Sequence, residues 1–555
     1  MATLNDKFTA NQITEYNLTN LKKLVEQGIK STDKNHPHFN RVKICCTLGP
    51  SSFNVEVIAG MIRAGADIIR INFSHGNTDD HTQIFYKVQQ AMQLTGKTVA
   101  IMGDIQGPKL RIAGFSNPDN CIELKEGQEF TLDHNNTNGD ESRVYLPHKE
   151  FFAVCEPNDD IILNDGYIRL VATSVDRQAM KIVTKVKVGG KLGARKGITI
   201  PTRILPLSGL SPKDLGDIKN ACRLGMDWIA LSFVQTKADV IEARDYIAKL
   251  HAENPASFCP RVCSKIEKPT AVLDIDDIAL LSDMLMVARG DLAIETCLSK
   301  VCSIQKYICE RARYHGCQAM VATQMVESLI ENTVPTRAEV TDVASVCFDG
   351  ANSVLVTAET AAGHDPVNVV KVLRSILTTT EQSEAFIKQV LTDNYINQRT
   401  SKEHKRPDSI ALGACLLARE LGAKLIIVFS KSGNSTGRVL RQLPHCPVLC
   451  ITSEQRSYQW LHMCWGCRPV LHPGNIDSMK TLISVADTHA LESGQAERGD
   501  AVVLVFGTPF SDVNRKGCNN IMAHIVGGGS FNNSADVEYG VTPQLAELTP
   551  IVGNN

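Results

Sequence analysis

The feature that most constrains this chain is the alternation of short apolar runs with amphipathic stretches of helical length. Eight apolar runs, several of them rich in β-branched residues, recur between residues 42 and 359, and most of them end in a polar residue. Continuous apolar runs of this length are typical of parallel strands that are buried on both faces. Eight strand-and-helix repeats therefore predict an α/β fold, a (β/α)8 barrel of the TIM type. The predicted strands cover residues 42–46, 67–73, 98–104, 228–233, 262–267, 284–288, 318–323 and 353–359.

The repeat is interrupted once, between Asp104 and Asp227. The separation of 123 positions exceeds what one helix and two loops require. Because this stretch contains turn-rich, β-like runs, it predicts a small β domain inserted into the barrel. Those runs cover residues 128–132, 160–163, 167–173 and 180–188.

A second α/β pattern follows the barrel, with a helix at 408–421 and strands at 425–429, 448–452 and 501–506. It predicts a separate C-terminal α/β domain. The tail begins with three glycines and is rich in small polar residues, which indicates a flexible extension. The predicted boundaries are 1–40 for an N-terminal helical segment, 41–107 and 210–390 for the barrel, 108–209 for the insertion, 391–526 for the C-terminal domain and 527–555 for the tail.

Composition and charge exclude several classes of protein. Lys and Arg number 58 against 60 Asp and Glu, so no bulk positive field indicates a nucleic-acid partner. No apolar run approaches the roughly 18 residues that a membrane span needs. Residues 1–34 lack the pattern of a secretory or mitochondrial leader, which predicts a cytoplasmic protein. Cys464 and Cys467 form a CxxC pair, but without a second pair at zinc spacing we expect them to be structural thiols.

Polar side chains cluster at the predicted carboxyl ends of the strands, where the active site of such a barrel lies. Lys265 and Glu267 end the fifth strand and share one face of it, because side chains alternate along a strand. Glu267 and Asp291 offer hard oxygen ligands to Mg²⁺, which needs few protein ligands. Lys265, Arg70 and Arg111 place cations around a dianion, a pattern that favours phosphoryl transfer. Any one of these residues could instead form a salt bridge at the barrel mouth, but five of eight strand ends carry such groups.

These segments resemble the pyruvate kinase family from about residue 41 to residue 526. The resemblance rests on eight motifs, spread over the predicted strand ends and the helices that follow them. They are Cys46-Thr-Leu-Gly-Pro50, Arg70-Ile-Asn-Phe-Ser-His-Gly76, Asp104-Ile-Gln-Gly-Pro-Lys109, Ser264-Lys-Ile-Glu267, Met286-Val-Ala-Arg-Gly-Asp-Leu292, Ala322-Thr-Gln-Met325, Pro335-Thr-Arg-Ala-Glu339 and Glu359-Thr-Ala361.

The resemblance implies an enzyme that transfers the phosphoryl group of phosphoenolpyruvate to ADP, giving pyruvate and ATP, with Mg²⁺ as cofactor. It also implies that the insertion is a β-barrel lid and that the chain forms homotetramers, or mixed assemblies with a paralogue. The implied catalytic residues are Lys265, Arg70 and Thr323, and the implied substrate-binding residues are Arg70, Ser232, Lys265, Gly290, Asp291 and Thr323. Asn72, His75, Arg111 and Lys196 would contact the nucleotide, and Glu267 and Asp291 would hold Mg²⁺.

The chain departs from the family at the potassium site. Asn72, Ser74, Asp104 and the carbonyl of Ile105 could still ligate K⁺, but Lys109 stands where potassium-dependent members have Glu. An ammonium there supplies positive charge itself and repels a second cation. We therefore predict that K⁺ is dispensable.

The effector loop of the C-terminal domain is kept only in part. Ser430, Lys431, Ser432, Gly433, Asn434 and Ser435 form the hydroxyl- and amide-rich loop that cradles a sugar phosphate in regulated members. The facing loop at 507–517 is longer and lacks the family's Trp, although Arg515 and Lys516 could serve as cations. Activation by fructose bisphosphate is therefore not expected.

Smaller departures flank the chemistry. Ala293 and Ala358 replace glycines, and Thr199 stands where the lid of the family has Asn. A second hypothesis is accordingly a paralogue that no longer catalyses and serves as a regulatory or assembly subunit. The retained Lys265 and Arg70 argue against it. A phosphoenolpyruvate-dependent aldol lyase is disfavoured, because it needs neither the insertion nor these strand ends.

Overall fold

The computed structural model describes residues 40–255, 257–388, 405–510 and 517–528. The barrel begins with three strands, β1 (Lys43–Thr47), β2 (Ile68–Asn72) and β3 (Ala100–Asp104). The insertion contributes β4 (Cys121–Leu124), β5 (Glu129–Asp133), β6 (Arg143–Tyr145), β7 (Asp160–Leu163), β8 (Ile168–Asp176), β9 (Lys181–Val188), β10 (Gly190–Gly193) and β11 (Ile198–Thr199). The barrel resumes with β12 (Trp228–Leu231), β13 (Arg261–Ile266), β14 (Met284–Ala288), β15 (Gln318–Ala322) and β16 (Ser353–Val356).

The eight barrel strands are parallel and close into a ring in the order β1, β2, β3, β12, β13, β14, β15, β16. The predicted (β/α)8 barrel is confirmed. Two strands end at least two residues before their predicted ends. β16 ends at Val356 because Ala358–Ala361 forms a helical turn, and β12 ends at Leu231 because Phe233 has a left-handed backbone, with φ 58°.

Helices cover the outside of the barrel, and their ends follow local capping rules. The side chain of Asn54 accepts the N–H of Glu56, and Gly65 ends that helix in the left-handed conformation. Thr336 and Glu339 form a reciprocal capping box on a later helix. The helices between Asn40 and Ile387 are Val55–Ala64, Thr78–Thr95, Lys149–Val154, Pro212–Leu224, Lys237–Glu253, Pro269–Leu273, Ile275–Leu281, Arg289–Glu295, Val301–His315, Arg337–Phe348, Ala358–Ala361, Pro366–Glu381 and Glu384–Phe386.

The barrel interior is filled by inward-facing side chains of the eight strands. They include four methionines and Trp228, each almost fully buried. Methionine fills irregular gaps well because it is unbranched and flexible. Packing of this kind makes the barrel a solid support for the side chains at its mouth. The four methionines are Met102, Met284, Met286 and Met320.

At the floor of the barrel, the residue just before a strand repeatedly accepts an N–H from the neighbouring strand. Asp67 accepts from Ile44 at 2.9 Å, and Asp227 accepts from Ile101 at 2.8 Å. Asp283 and Asn352 repeat the contact with Val262 at 3.0 Å and Ala319 at 2.6 Å. These side chains fix the stagger between adjacent strands at the end opposite the mouth.

The inserted domain, called the lid below, has its own core. β11, β7, β8, β9, β5 and β6 form one sheet in that order, and β10 pairs with β4 in a second. Phe130, Phe151 and Phe152 are fully buried in this core. The two connections to the barrel are tied together, because the N–H of Gly107 donates to Asp214 at 3.1 Å.

The C-terminal domain is a five-stranded sheet in the order β19 (Cys467–Leu471), β18 (Val448–Thr452), β17 (Leu425–Phe429), β20 (Ala501–Phe506) and β21 (Asn520–Ile525). All neighbours are parallel except β20 and β21. The predicted α/β domain is confirmed, but sequence analysis missed both edge strands. The helices are Lys405–Glu420, Asn434–Leu440, Gln455–Leu461 and Met479–Glu492.

Several predictions concern segments that the structure does not describe. The N-terminal helical segment, residues 529–555 of the tail, and Arg515 with Lys516 lie outside the described residues. Within the described ranges, no helix is both long enough and apolar enough to cross a bilayer. Cys464 and Cys467 are buried, and burial raises the pKa of both thiols, to about 12 for Cys464. They are therefore poor nucleophiles.

Candidate active site

The mouth of the barrel centres on Lys265, which lies at the end of β13. Its Nζ donates to Ser232 Oγ at 2.7 Å and lies 3.0 Å from Glu267 Oε1 and 3.5 Å from Asp104 Oδ1. Burial alone would lower the pKa of Lys265, but the two carboxylates raise it above its usual value. The ammonium is therefore charged at neutral pH and held by three oxygen-bearing side chains.

Arg70 approaches the same cluster from the middle of β2, two residues before the strand ends. Its Nε donates to Asp104 Oδ2 at 2.6 Å, and its Nη1 donates to Thr47 Oγ1 at 3.0 Å. Burial would raise the pKa of Asp104, but Arg70, Lys265 and the hydrogen bonds lower it below the usual value. Asp104 is thus ionised, and it orients both Arg70 and Lys265.

Glu267 is a buried carboxylate at the mouth with one incompletely bonded oxygen. It is 1% exposed, and its Oε2 accepts the N–H of Phe233 at 2.5 Å. Its Oε1 receives no well-directed hydrogen bond from the described residues, although Lys265 lies close. Burial raises the pKa of Glu267 to about 7, Lys265 opposes this, and the neighbouring charge of Asp291 adds to it. A buried carboxylate in this state fits a divalent metal ion, which would replace the missing donor.

Asp291 is the second carboxylate of the predicted magnesium pair and lies in the first turn of the helix Arg289–Glu295. Its side chain is 38% exposed and faces the cleft under the lid. No group of three His, Cys, Asp or Glu side chains within the described residues is arranged to hold a metal. A cation here would therefore have two protein carboxylates and take its other ligands from water or substrate, as Mg²⁺ commonly does.

Thr323 lies beyond β15 with a strained backbone. Thr323 and Gln324 both have positive φ, at 73° and 52°, a region that non-glycine residues rarely adopt. Arg289 holds this turn, since its Nη2 donates to the carbonyls of Thr323 at 2.6 Å and Gln324 at 3.0 Å. Its Nη1 is anchored 2.7 Å from Asp342. Thr323 Oγ1 accepts the N–H of Gly290 at 3.0 Å, which brings two predicted substrate-binding residues together.

Lys109 lies in the cleft between barrel and lid. Its Nζ is 4.0 Å from Asp291 and 3.7 Å from Asp165 of the lid, and 5.6 Å from the centre of the Phe233 ring. The ammonium therefore adds positive charge beside the predicted magnesium carboxylate.

The predicted potassium ligands are engaged within the protein. Asn72 Oδ1 accepts the N–H of Ser74 at 3.0 Å, and the Ile105 carbonyl accepts Ser232 Oγ at 2.7 Å. Both oxygens of Asp104 face cations.

The residues predicted to bind the nucleotide lie farther apart than the rest of the site. Arg111 is exposed and donates to the carbonyl of Arg195 at 3.0 Å, which links it to the lid hairpin that carries Lys196. His75 is exposed on the barrel, and its carbonyl accepts a hydrogen bond from the ring of His81 at 2.7 Å. The contacts among the described residues do not join Lys196 to the barrel cluster.

Sequence analysis did not assign roles to Arg289, Lys268 and Thr47. Arg289 stands inside a motif that was recognised, so its neighbours could have indicated it. Thr47 also stands inside a recognised motif, Cys46-Thr-Leu-Gly-Pro50, although its contact with Arg70 spans 23 positions. The contacts of Lys268 reach 27 and 69 positions along the chain, so no local pattern indicates its role.

The effector loop is folded tightly. The N–H of Cys518 donates to Ser435 Oγ at 3.2 Å, and Lys431 lies 3.6 Å from Glu454. Gly433 has φ 76°, and a side chain there would meet the Trp460 ring at 2.3 Å. Glycine is therefore required at this turn.

The fold and the mouth define a class of protein: a (β/α)8 barrel enzyme whose site gathers cations and carboxylates under a lid. Comparison with protein families narrows this class. The family model "Pyruvate kinase, barrel domain" matches residues 39–370, and "Pyruvate kinase, alpha/beta domain" matches residues 408–523. The chain belongs to the pyruvate kinase family and is a phosphotransferase.

Individual pyruvate kinases are similar to this chain over most of its length. A pyruvate kinase of Methylorubrum extorquens is 36% identical over 472 residues, which is 85% of this chain and 94% of that protein. One from Agrobacterium vitis is 35% identical over 474 residues, covering 85% of this chain and 96% of the relative. The crystal structure of a pyruvate kinase from Cryptosporidium parvum superimposes with a TM-score of 0.80 at 28% identity, over 89% of this chain and 98% of that one.

Proposed function

We propose that this protein transfers the phosphoryl group of phosphoenolpyruvate to ADP, giving pyruvate and ATP. The observation that carries the proposal is the position of Lys265, a buried ammonium held by Ser232, Asp104 and Glu267 at the barrel mouth. In phosphoryl transfer, catalysis consists mainly of positioning the reactants and neutralising the charge of the moving group.

In the proposed reaction, the bond between phosphorus and the enol oxygen breaks, and a bond forms to a terminal oxygen of ADP. Lys265 lies where it can follow the phosphoryl group, and Arg70 presents a second cation from β2. Asp104 keeps both side chains in place because it binds one with each oxygen. No large reorganisation is then required when negative charge moves, which is the source of the electrostatic stabilisation.

Glu267 and Asp291 would hold Mg²⁺, which when bound supplies positive charge to the phosphoryl and enolate oxygens. The unfilled hydrogen-bonding capacity of Glu267 supports this assignment. The backbone around Gly290 and Asp291 would receive the substrate carboxylate.

The enolate left behind must gain a proton at carbon to become pyruvate. Thr323 Oγ1 already accepts the N–H of Gly290, so its own hydrogen is free to point elsewhere. The arrangement supports a role for the hydroxyl in delivering or relaying that proton. Arg289 would keep the hydroxyl in position by holding the carbonyl of Thr323.

The nucleotide would bind between barrel and lid, with Asn72, His75, Arg111 and Lys196 around it. Lys109 would supply the monovalent positive charge in place of K⁺. Its Nζ lies 4.0 Å from Asp291, which supports this role because it places a fixed positive charge beside the proposed magnesium ligand.

We further propose a cytoplasmic homotetramer, with mixed assembly with a paralogue as the alternative. Light scattering on the purified protein tests the first, since a tetramer has about four times the mass of the 60.7 kDa chain. The loop Ser430–Ser435 is the proposed effector site, and its ligand can be sought by titrating phosphorylated sugars against the half-saturation for phosphoenolpyruvate.

The decisive experiment is a coupled assay of ATP formation from phosphoenolpyruvate and ADP with Mg²⁺. We expect robust turnover by the natural chain and loss of it in Lys265→Met. Turnover no greater than that of the variant would favour the alternative, a non-catalytic subunit. In that case, activation of an active paralogue upon mixing would be the next measurement.

A further inference from the structure

The lid contacts the barrel through a buried ion pair beside the proposed active site. Lys268 Nζ lies 3.3 Å from each carboxylate oxygen of Glu295, and the two side chains are only 5% and 6% exposed. The same Nζ donates to Oγ1 of Thr199, on lid strand β11, at 3.0 Å. One ammonium therefore joins two barrel segments to the lid.

The two residues of this ion pair lie close in sequence to the two predicted magnesium ligands. Lys268 directly follows Glu267, and Glu295 ends the helix that carries Asp291 in its first turn. On the lid side, Thr199 lies three residues after Lys196. β11 pairs with β7, and Lys196 lies two residues before β11 on the same short segment, so we expect a shift of Thr199 to be passed along the chain to Lys196.

Two neighbouring contacts support a defined docking position for the lid. The turn Asn164–Gly166 has three successive left-handed residues, and a side chain at Gly166 would meet Ile294 at 3.3 Å. Lys109 lies between Asp165 of the lid and Asp291 of the barrel. Both contacts touch the helix Arg289–Glu295, so the lid rests on the same element that positions Asp291.

A buried charge is costly unless each of its hydrogen-bonding positions is filled. Among the described residues, Glu295 supplies the countercharge for Lys268, and Thr199 supplies a further acceptor. If the lid moves away, the ammonium loses Thr199 while it remains tied to Glu295. The ion pair therefore favours one docked position of the lid over others.

We propose that Lys268 is a positioning residue that docks the lid through Thr199, so that Lys196 reaches the nucleotide at a fixed distance from the magnesium carboxylates. This inference rests on the proposed function for its kinetic consequence. It predicts that the contact governs use of ADP, which needs the lid, and not binding of phosphoenolpyruvate, which needs the barrel cluster.

The sharpest test is Thr199→Val, which removes the acceptor and keeps the shape of the side chain. We expect the KM for ADP to rise about threefold, as the loss of one hydrogen bond predicts. The half-saturation for phosphoenolpyruvate should stay unchanged. Thr199→Ser keeps an oxygen and should restore the natural KM. Thr173→Val is the matched control, because Thr173 Oγ1 bonds the Val183 carbonyl at 3.0 Å inside the lid, away from the barrel.

Lys268→Met should affect the use of ADP more than Thr199→Val does, because it leaves Glu295 buried without its partner. We expect kcat/KM for ADP to fall by a factor of about 30 or more. Lys237→Met, which breaks an exposed ion pair with Asp277, should change it less than twofold, as surface pairs do. Equal rises in both half-saturation constants, or a loss of activity matched by unfolding, would overturn the proposal.

Amide hydrogen exchange separates this inference from the proposed reaction. Thr199→Val should speed exchange over residues 196–200 and at the lid turn 164–166, while Thr173→Val should not. This readout needs no turnover, so it holds even if the natural chain proves inactive. Unchanged exchange at both segments would show that the ion pair only stabilises the helix Arg289–Glu295.

Discussion

The two ends of the barrel use the same residue types for different purposes. At the floor, Asp67 accepts the Ile44 N–H and also binds Arg374, so its charge and its hydrogen bonds are both satisfied. At the mouth, Glu267 is buried, and its Oε1 lies 3.0 Å from the Lys265 ammonium without a well-directed hydrogen bond. Burial and the charge of the neighbouring carboxylate Asp291 raise the pKa of Glu267 to about 7. Carboxylates whose hydrogen bonds are filled stabilise the fold, whereas a buried carboxylate with an incompletely bonded oxygen beside a second carboxylate indicates a cation site.

Backbone geometry shows the same contrast. Three non-glycine residues with positive φ, Phe233, Thr323 and Gln324, follow strands at the mouth. No residue of the eight barrel strands has positive φ. Strained conformations persist where surrounding contacts hold them, and they cluster at functional sites. The difference teaches that the floor determines register and the mouth determines chemistry, and the following changes test that division.

The largest effect is expected when the lysine at each end of the barrel is replaced, in turn, by methionine. Lys265→Met should lower kcat at least about a thousandfold, because it removes the buried cation that, in the proposed reaction, neutralises the moving phosphoryl group. Lys43→Met at the floor, where Nζ donates to the Cys467 carbonyl at 3.2 Å, should leave kcat within about twofold. The coupled ATP assay measures both. If Lys43→Met were as inactive as Lys265→Met while still folded, the division would fail.

Two arginines offer a matched pair for the second test. Arg289 donates to the carbonyls of the strained turn, and Arg374 donates to the carbonyls of Val42 at 3.0 Å and Gly65 at 2.6 Å. Arg289→Met should lower kcat about 100-fold by releasing Thr323. Arg374→Met should instead lower the free energy of unfolding by about 3 kcal/mol, because it removes the nearest cation of Asp67 and the donor to two carbonyls. Kinetics and denaturant titration on both variants check this, and a reversed pattern of losses would contradict it.

Asp227 at the floor should make stability depend on pH. Burial raises the pKa of its carboxyl from 3.8 to about 7, although the Ile101 N–H opposes this. A group whose pKa is raised by folding stabilises the protein fully below its unfolded value, and that contribution is lost as pH rises through the folded value. Between pH 5 and pH 8, the natural chain should therefore lose about 2 kcal/mol relative to Asp227→Asn. Denaturant titrations that stay parallel across this range would count against it.

The smallest effect is expected from removing K⁺ from the assay. Because Lys109 already provides positive charge beside Asp291, replacing K⁺ with a tetraalkylammonium ion should change kcat less than about twofold. Steady-state assays at constant ionic strength measure this. Activity that disappears without K⁺ and returns with it would assign the potassium ligands Asn72, Ser74, Asp104 and Ile105 a real function.

The barrel and most of its mouth could be predicted because their signals are local. Lys265 and Glu267 lie two positions apart at the end of β13, so period-two alternation places them together, and Asp104 ends β3, which neighbours the strand of Arg70. The contact of Arg289 with Thr323 depends on how two loops pack, 34 positions apart, and on a left-handed turn that no propensity indicates. Nor could the sequence reveal which oxygen of Glu267 lacks a donor.

The missed strands have a similar explanation. β19 contains Arg468 and Pro469 and lies at a sheet edge, where proline is tolerated, so it lacks the continuous apolar run of a central strand. β21 lies at the other edge and mixes Asn520 and His524 with apolar residues. Edge strands are half solvated, so their pattern resembles that of loops.

The hydrogen bond between Gly107 and Asp214 has a consequence for how such a molecule can change over time. Because it fastens together the two chain segments that lead to the lid, the intervening residues begin and end at nearly one point. The entropy of closing a loop grows only slowly with its length, by about 0.6 kcal/mol per doubling. We therefore expect the barrel to tolerate insertions and deletions within the lid, so that the inserted domain can diverge while the register of the eight strands is inherited unchanged.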